Sequence, residues 1–317
     1  MYRDKKIGIV VPAYNEETQI DRTLSTMPDF VDHVVVVDDC STDGTVDVVE
    51  KVAAADDRVL VIRLRANLGV GGAISRGYVW CRDHDIDIAV VMAGDGQMDP
   101  ADLTHLLDPI VEDRTDYTKG NRLVTGEAWQ KIPHTRYLGN SALTFLTKIA
   151  SGYWHVTDSQ TGYTALNKKG LHLLPLEDIY PRYGMPNDFL VTLNIYGMRV
   201  MDVPVNPVYG IGEKSDIRFR RDIIKMSLLL VRLFCRRMVL KYIIRDFHPL
   251  IFFYALGNLL LVLGSLFGLH LFMLRITEGP VAATSALFAA FLIITGLQSL
   301  LFAMLFDMEA NRDLKGV

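Results

Sequence analysis

Two long apolar runs stand near the end of the 317-residue chain. Leu250–Leu274 and Val281–Phe306 contain no Asp, Glu, Lys or Arg over 25 and 26 residues. At about 1.5 Å per helical residue, each run spans roughly 38 Å, more than the roughly 30 Å hydrocarbon core of a bilayer. Only six residues join the runs, too few for a domain, so the pattern predicts a two-helix transmembrane hairpin. The alternative is a pair of buried helices in a soluble protein.

Shorter apolar runs alternate with helical patterns over the first 210 residues. The predicted strands are Ile7–Val11, Val34–Val37, Val59–Leu64 and Ile88–Met92, and the predicted helices between them are 16–27, 45–55 and 71–83. Continuous apolar strands between helices are typical of a parallel sheet that is covered on both faces. We therefore predict a Rossmann-like α/β domain with a mostly parallel sheet, in which ligands bind beyond the carboxyl ends of the strands.

The net charge of −4 conceals a strongly basic segment. Residues 214–249 hold ten lysines and arginines against three aspartates, a local charge of +7. A basic segment beside a membrane span marks the cytoplasmic side and attracts anionic headgroups. Since its apolar residues recur at helical spacing, we predict amphipathic helices at the membrane surface, with a solvated charged face as the alternative. The predicted division is 1–213 for the α/β domain, 214–248 for these helices, and 249–317 for the hairpin and a short tail.

This division also predicts where the protein resides. The residues before the first strand contain no apolar stretch of signal-peptide length, and the three cysteines show no disulfide or metal-ligand spacing. We expect a multi-pass protein of the plasma or inner membrane, with the α/β domain and both termini in the cytoplasm. No nucleic-acid partner is expected.

Polar, turn-forming clusters follow three of the four predicted strands. They are Ala13-Tyr-Asn-Glu-Glu, Asp38-Asp-Cys-Ser-Thr-Asp-Gly and Gly94-Asp-Gly-Gln-Met-Asp-Pro. Carboxylates at these ends can accept hydrogen bonds from the base and ribose of a nucleotide, as Glu16 and Asp39 are placed to do. Asp43 is expected to form an Asx turn or to cap the helix that begins at Thr45.

A glycine-rich turn precedes the third predicted helix. Gly69-Val-Gly-Gly is similar to the start of a dinucleotide fingerprint, but Ile74 stands where the third glycine belongs. We predict a closely packed turn beside the nucleotide, with an NAD site as the alternative.

Several of these segments, taken in order, resemble one known family. The segments are Val11-Pro-Ala-Tyr-Asn-Glu-Glu, Val36-Val-Asp-Asp-Cys-Ser-Thr-Asp-Gly-Thr, Asn67-Leu-Gly-Val-Gly-Gly-Ala, Asp95-Gly-Gln-Met-Asp-Pro, Gly120-Asn-Arg and Asp158-Ser-Gln-Thr-Gly-Tyr. They resemble the family 2 glycosyltransferases with the GT-A fold, in the branch of polyprenyl-phosphate transferases similar to dolichol-phosphate mannose synthase. The basic helices and the hairpin fit that branch, so the resemblance covers nearly the whole chain.

The resemblance implies which residues meet the donor. The implied nucleotide-binding residues are Pro12, Tyr14, Glu16, Asp39, Asn67, Gly94 and Asp95. Asp95 and Gln97 are the implied ligands of Mg²⁺ or Mn²⁺, which offsets the charge of a departing diphosphate. Ala93 occupies the first position of the family's D-x-D motif, so one ligand is missing. Asp99 could replace it, although we expect Asp99 to cap a helix that begins at Pro100.

The acceptor side has its own implied residues. Arginine forks suit phosphate oxygens, and the resemblance assigns the acceptor phosphate to Arg122, Arg136 and Asn140. The implied catalytic acids are Asp95, Asp158 and Asp188. A phosphate oxygen is already ionised near neutral pH, so no strong general base is required. Asp158 is then expected to orient the acceptor, the sugar or the metal, while Asp188 contacts sugar hydroxyls or caps a helix.

The expected activity is an inverting sugar transfer at the membrane. A nucleotide sugar, with UDP favoured over GDP, would donate its sugar to undecaprenyl or dolichyl phosphate in cell-envelope glycosylation. One alternative is a polysaccharide-elongating transferase, and another is a weakly active scaffold that binds nucleotide sugars, suggested by Ala93. A homodimer or homotetramer is a further possibility.

Overall fold

The computed structural model describes residues 1–123, 134–206 and 219–317, with side chains described except in 134–140 and 219–224. The chain divides into two compact units. The first consists of Met1–Phe234 and Asp313–Val317, and the second of Cys235–Arg312. The expected boundary between 213 and 214 lies outside the described residues.

A seven-stranded sheet forms the centre of the first unit. Its strands are β1 Ile7–Ala13, β2 His33–Asp38, β3 Val59–Arg63, β4 Ile88–Val91, β5 Tyr117–Asn121, β6 Thr164–Asn167 and β7 Val200–Pro204. They lie in the order β3-β2-β1-β4-β6-β5-β7. All neighbouring pairs are parallel except those that β6 makes with β4 and β5. The sheet is therefore mostly parallel, as predicted.

Helices cover both faces of this sheet. In chain order, the helices are α1 Ile20–Ser25, α2 Thr45–Ala53, α3 Val70–Asp83, α4 Leu103–Val111, α5 His134–Ser151, α6 Lys168–Leu173, α7 Met185–Ile195 and α8 Phe219–Val239. Of these, α5 and α8 pack with α7. Along β1, Ile9 and Val11 face a core built with α1, α2 and α4, whereas Val10 faces a core built with α3 and α7. This alternation buries both faces of the strand, which explains its continuous apolar sequence.

The first helix differs from its predicted extent. The sequence pattern predicts a helix from Glu16, but α1 begins at Ile20. Asn15 adopts a positive φ of 58°, and the Glu16 backbone N–H donates to the Thr45 hydroxyl at 2.8 Å. The segment before Ile20 is thereby held as a loop against the start of α2.

The second unit contains the two apolar helices. They are α9 Leu250–Thr277 and α10 Ala283–Ala310, and six residues in a π-helical conformation, Leu240–Arg245, continue from α8. A Cβ on Gly257 would lie 2.7 Å from Leu300 Cδ2, so glycine permits the two helices to pack closely. Only 17% and 22% of their most apolar 18-residue stretches are buried. Buried helices of a soluble core would be largely enclosed, and the exposed apolar surface favours a membrane-spanning hairpin.

Candidate active site

The carboxyl ends of β1, β2 and β4 meet at one edge of the sheet. The chain passes from β1 to its neighbour β2 on one side, and later returns to β4 on the other side of β1. This reversal creates a crevice beyond the strand ends, the place where open α/β sheets bind ligands. The three polar clusters identified in the sequence lie at these ends.

Glu16 and Asp95 lie within electrostatic reach of each other at this crevice. Burial, together with the negative charges of Asp95 and Asp43, raises the pKa of Glu16 to about 7. Asp43 accepts hydrogen bonds from the backbone N–H and hydroxyl of Thr45, at 3.1 and 2.6 Å, and so forms the predicted Asx turn. The N-cap of α2 is Gly44, so the interpretation of Asp43 as the helix cap is wrong. The crevice therefore concentrates negative charge between β1 and β4, where a cation would be stabilised.

Asp39 holds the loop that precedes α3. Its side chain is buried, and its two oxygens accept from the backbone N–H groups of Leu68 at 2.7 Å and Gly69 at 2.8 Å. The Asn67 amide donates to the Asp39 carbonyl at 3.1 Å. Two predicted nucleotide-binding residues, Asp39 and Asn67, are thus brought together, and the Asp39 carboxylate shapes the loop around them.

The glycine turn packs closely against a second loop. A Cβ on Gly71 would lie 2.1 Å from the Tyr180 carbonyl oxygen, and Gly69 has a φ of 86°. The Gly72 backbone N–H donates to the Pro181 carbonyl at 3.1 Å. Because the protein itself occupies the start of α3, the structure favours the closely packed turn over a dinucleotide site.

The turn after β4 presents the expected metal ligands. One Asp95 carboxylate oxygen accepts from the Gln97 backbone N–H at 3.0 Å, and Gly96 has a positive φ of 70°. Asp99 accepts from the Ala101 backbone N–H at 2.9 Å as the cap of a short 3₁₀ helix, the role predicted for it. Within the described residues, no cluster of three or more acidic, histidine or cysteine side chains could hold a metal ion.

The donor set of this turn still fits a hard divalent cation. The Asp95 carboxylate and the Gln97 amide both offer oxygen atoms, whereas Ala93 offers none. Proteins commonly hold Mg²⁺ with one or two carboxylates while substrate phosphates and water complete the shell. The residues thus fit an ion that shares its coordination with a diphosphate.

Two other predicted donor residues border the same edge. Pro12 is buried in β1, and its carbonyl accepts from the Gly94 backbone N–H at 3.3 Å, which ties the β1 and β4 ends together. Tyr14, which directly follows β1, is 47% exposed. A cavity of about 330 Å³ lies behind the β4 turn, lined by Arg22, Thr23, Thr26, Met92, Gly96, Met98, Asp99, Pro100 and Ala101. None of these lining residues belongs to the set predicted to bind the nucleotide.

An arginine–aspartate pair includes one of the residues predicted to bind the acceptor phosphate. Arg122 donates to Asp158 through Nε at 2.8 Å, through Nη2 at 3.1 Å and through its backbone N–H at 3.3 Å. The Asp158 side chain is 5% exposed and that of Arg122 is 26% exposed. Burial opposes ionisation of Asp158, but hydrogen bonds and charge from Arg122, with charge from Lys119, lower its pKa overall. Asp158 is therefore held as a carboxylate while Arg122 reaches solvent.

Comparisons with known proteins identify the family. The sequence profile of glycosyl transferase family 2 matches residues 8–174, more than half of the chain. The chain belongs to glycosyl transferase family 2. It is a glycosyltransferase with the GT-A fold, as the motifs predicted.

Named relatives agree with this assignment, and a solved structure shares the fold. The chain is 30% identical over 219 residues to the UDP-N-acetylglucosamine–dolichyl-phosphate N-acetylglucosaminyltransferase of Methanococcus voltae, which covers 65% of this chain and 87% of the relative. It is 32% identical over 204 residues to the undecaprenyl-phosphate mannosyltransferase of Micrococcus luteus, which covers 63% and 82%. Glucosyl-3-phosphoglycerate synthase from Mycobacterium tuberculosis, in complex with Mn²⁺ and UDP-Glc, superposes with a TM-score of 0.52 at 21% identity, covering 74% of this chain and 79% of that one.

Asp188 lies deeper in this family 2 glycosyltransferase than the sequence suggested. The cap of α7 is Gly184, so the interpretation of Asp188 as the helix cap is wrong. Asp188 lies inside the first turn, is buried, and accepts from the Tyr180 backbone N–H at 2.8 Å. It thereby fixes the loop that packs on Gly71. Contact with sugar hydroxyls stays a prediction.

Two charged residues of this glycosyltransferase were missed in the sequence. Lys119 on β5 is buried, and its ammonium donates to the Thr161 carbonyl at 2.5 Å. Asp202 on β7 accepts from the Thr157 backbone N–H at 2.8 Å and from the Asn121 amide at 2.9 Å. A lysine directly before the Gly120-Asn-Arg motif was the available signal.

Two further residues are predicted to bind the acceptor phosphate. The side chains of Arg136 and Asn140 are outside the described residues, although both positions belong to α5. Their assignment to the acceptor phosphate of this glycosyltransferase stays a prediction.

Proposed function

We propose that the protein transfers a sugar from a nucleoside diphosphate to a polyprenyl phosphate on the cytoplasmic face of a membrane. The observation that carries the proposal is that the Glu16 and Asp95 carboxylates lie within electrostatic reach of each other at the crevice of a GT-A sheet. The named relatives act on dolichyl or undecaprenyl phosphate, and two helices of this chain are long and apolar enough to anchor it where such lipids reside. A UDP-sugar is the favoured donor, since one relative uses UDP-N-acetylglucosamine.

The donor would bind with its base and ribose toward Tyr14 and the Asp39 loop, and its diphosphate toward the β4 turn. Asp95 and Gln97 would hold Mg²⁺ or Mn²⁺ there, and the ion would offset the charge of the departing diphosphate. Asp39 keeps the Leu68 and Gly69 backbone in place around the nucleotide. Solved structures of the Mycobacterium tuberculosis synthase hold UDP together with Mg²⁺ or Mn²⁺.

The acceptor would approach from the Arg122 side. Its phosphate oxygen attacks the anomeric carbon, a carbon–oxygen bond forms, and the bond to the nucleoside diphosphate breaks with inversion. Because the phosphate is already ionised, no side chain must remove a proton. Arg122, with Arg136 and Asn140 as further candidates, binds and orients the phosphate, and Asp158 aims the Arg122 guanidinium.

The juxtamembrane segment supports membrane attachment. On α8, Leu230 and Leu233 are buried among residues of α5 and α7, whereas Leu228 and Val231 are exposed together with the basic residues Lys225 and Arg232. An exposed face that combines apolar and basic side chains suits the interface of an anionic membrane. The same positive charge supports a cytoplasmic orientation.

The direct test is a transfer assay with the full chain in phospholipid nanodiscs. Radiolabelled UDP-GlcNAc, UDP-Glc and GDP-Man would be offered in turn with Mn²⁺ and undecaprenyl phosphate. We expect a lipid-extractable sugar phosphate from one donor, with an inverted anomeric centre, and loss of product in EDTA.

Asp95→Asn is the variant that tests the site within this assay. Removing one ligand charge at a developing negative charge should lower the rate at least about a hundredfold. The matched control is Asp57→Asn, an exposed position on the same unit, which should keep the parent rate. No product with any donor contradicts the proposal and favours a nucleotide-sugar-binding scaffold, whereas equal rates for Asp95→Asn and an active parent would contradict the role of Asp95 as a metal ligand.

A further inference from the structure

Lys119 is a charged side chain in the interior of the catalytic unit. It lies on β5 between β6 and β7, and its ammonium donates to the Thr161 carbonyl. Burial lowers the pKa of Lys119 to about 8, with the carboxylates of Asp158 and Asp202 opposing this effect. The ammonium is therefore still largely protonated near neutral pH. Burying a cation is costly unless it neutralises nearby charge, so its neighbours indicate its role.

Three charged groups lie within electrostatic reach of Lys119, namely Arg122, Asp158 and Asp202. Lys119 lies in β5 and Arg122 directly follows that strand, whereas Asp158 precedes β6 and Asp202 belongs to β7. Within the described part of the chain, these are the charged groups that act on one another at this site. Two cations balance two carboxylates.

The two cations differ in their freedom to meet a ligand. Lys119 is enclosed and bound to the backbone at Thr161, whereas Arg122 reaches solvent while it donates to Asp158. A phosphate that approached from solvent would meet Arg122 and compete with Asp158 for the same N–H groups. Asp158 would then depend on the enclosed cation for neutralisation.

We infer that Lys119 is a positioning residue, which keeps Asp158 ionised and the 157–161 segment in place while Arg122 is shared with the acceptor phosphate. This inference rests on the proposed function. Asp202 weakens the effect of Lys119 on Asp158, because the Asp202 carboxylate attracts the same ammonium. Its Oδ2 is held by Asn121 and Thr157, while its buried Oδ1 accepts no hydrogen bond from the described residues.

The test compares rates across pH in Lys119→Met, which keeps an unbranched side chain and removes the charge. Initial rates of transfer to undecaprenyl phosphate would be measured from pH 5.5 to 8.5, together with UDP binding and thermal unfolding. The ratio of variant to parent rate cancels groups common to both, such as the acceptor phosphate and Glu16. We expect this ratio to be at least about threefold lower at pH 5.5 than at pH 8.5, because Asp158 would then lack Lys119 while it shares Arg122 with the phosphate, and each nearby cation that is lost raises an acid's pKa by about one to three units. UDP binding should be unchanged.

Lys51→Met, at an exposed position in the last turn of α2, is the matched control and should give a ratio near one at every pH. A reduced but pH-independent ratio for Lys119→Met overturns the inference, since a purely structural lysine would act equally at all pH values.

If Lys119→Met does not fold, the same rate ratio is measured for Asp202→Asn relative to the parent. Removing the competing carboxylate should keep the ratio at or above its pH 8.5 value as the pH falls, and a falling ratio overturns the inference. A parent without product overturns both proposals, whereas an active parent with a flat Lys119→Met ratio overturns this one alone.

Discussion

The two units of the molecule each contain an arginine that forks onto an aspartate, in opposite environments. In the catalytic unit, Arg122 contacts Asp158 at 2.8 and 3.1 Å, and the arginine is partly open to solvent. In the hairpin unit, Arg237 contacts Asp307 at 2.7 and 2.9 Å, and neither side chain has any exposed surface. Similar geometry therefore serves two purposes, because only the first pair can exchange a partner with a ligand.

The enclosed pair belongs to a larger network. The Tyr242 hydroxyl donates to Asp307 at 2.7 Å, and the Asn311 amide donates to the Tyr242 oxygen at 2.8 Å and to Asp307 at 3.0 Å. These bonds join the residues that follow α8 to the end of α10. Buried polar groups that are mutually satisfied in this way fix a single arrangement of the elements that carry them.

Breaking the enclosed pair is expected to have the largest effect on stability. Arg237→Met leaves the Asp307 carboxylate buried without its cation, which should cost about 3–5 kcal/mol. Thermal unfolding of the detergent-solubilised chain measures this loss. The matched control, Arg232→Met, lies exposed on the same helix and should change stability by less than about 0.5 kcal/mol.

A double substitution separates a lost partner from lost packing. Arg237→Met with Asp307→Leu removes both charges, so it should recover at least half of the loss seen in the single variant. Equal loss in the single and double variants would mean that the ion pair itself, rather than the stranded charge, provides the stability.

Breaking the open pair is expected to act mainly on the acceptor. Arg122→Met should raise the acceptor KM at least about tenfold, the equivalent of about 1.4 kcal/mol. It should destabilise the fold by about 2 kcal/mol, less than Arg237→Met, since Lys119 still neutralises Asp158. Steady-state kinetics and UDP binding check this, with the exposed Arg65→Met as the control. An unchanged acceptor KM with a lower kcat would contradict a phosphate-binding role.

The sequence predicted well the part of the fold that is proposed to bind the donor. Strands β1 to β4 are continuous apolar runs, and the polar clusters that follow β1, β2 and β4 meet at one edge because parallel strands end on the same side. Strand β5 was not predicted, because it reads Tyr-Thr-Lys-Gly-Asn. Its buried polar side chains pair with residues of distant segments, as Lys119 does with Thr161.

Long-range pairing also explains the roles that the sequence did not indicate. Arg237 was counted among the interfacial cations, but it pairs with Asp307, 70 positions away. Asp188 holds a backbone N–H eight residues before it, and its burial could not be inferred from a pattern that also suits a helix cap. Hydrophobic spacing shows which face is buried, and it does not show which partner a buried charge will find.

Glu16 differs from Asp158 and Asp307, because its carboxylate lies near other carboxylates instead of an arginine. Its pKa is raised from 4.5 to about 7 by burial and by Asp95 and Asp43. Between about pH 4.5 and 7 the folded chain keeps a proton that the unfolded chain releases, so this group lowers stability as the pH rises through that window. Glu16→Gln removes the penalty. It should stabilise the protein by about 1 kcal/mol at pH 8, after allowance for solvent screening of a half-buried group, and by almost nothing at pH 4.5.

Thermal unfolding in EDTA at the two pH values measures this difference without a bound cation. Asp57→Asn is again the exposed control and should show no such pH dependence. A Glu16→Gln variant that is less stable than the parent at pH 8 would mean that the ionised carboxylate is paired with a cation in the fold. The sign of this small change in stability therefore distinguishes a crevice in which the Glu16 carboxylate lies near other carboxylates from the Arg122–Asp158 and Arg237–Asp307 pairs, in which an arginine neutralises the carboxylate.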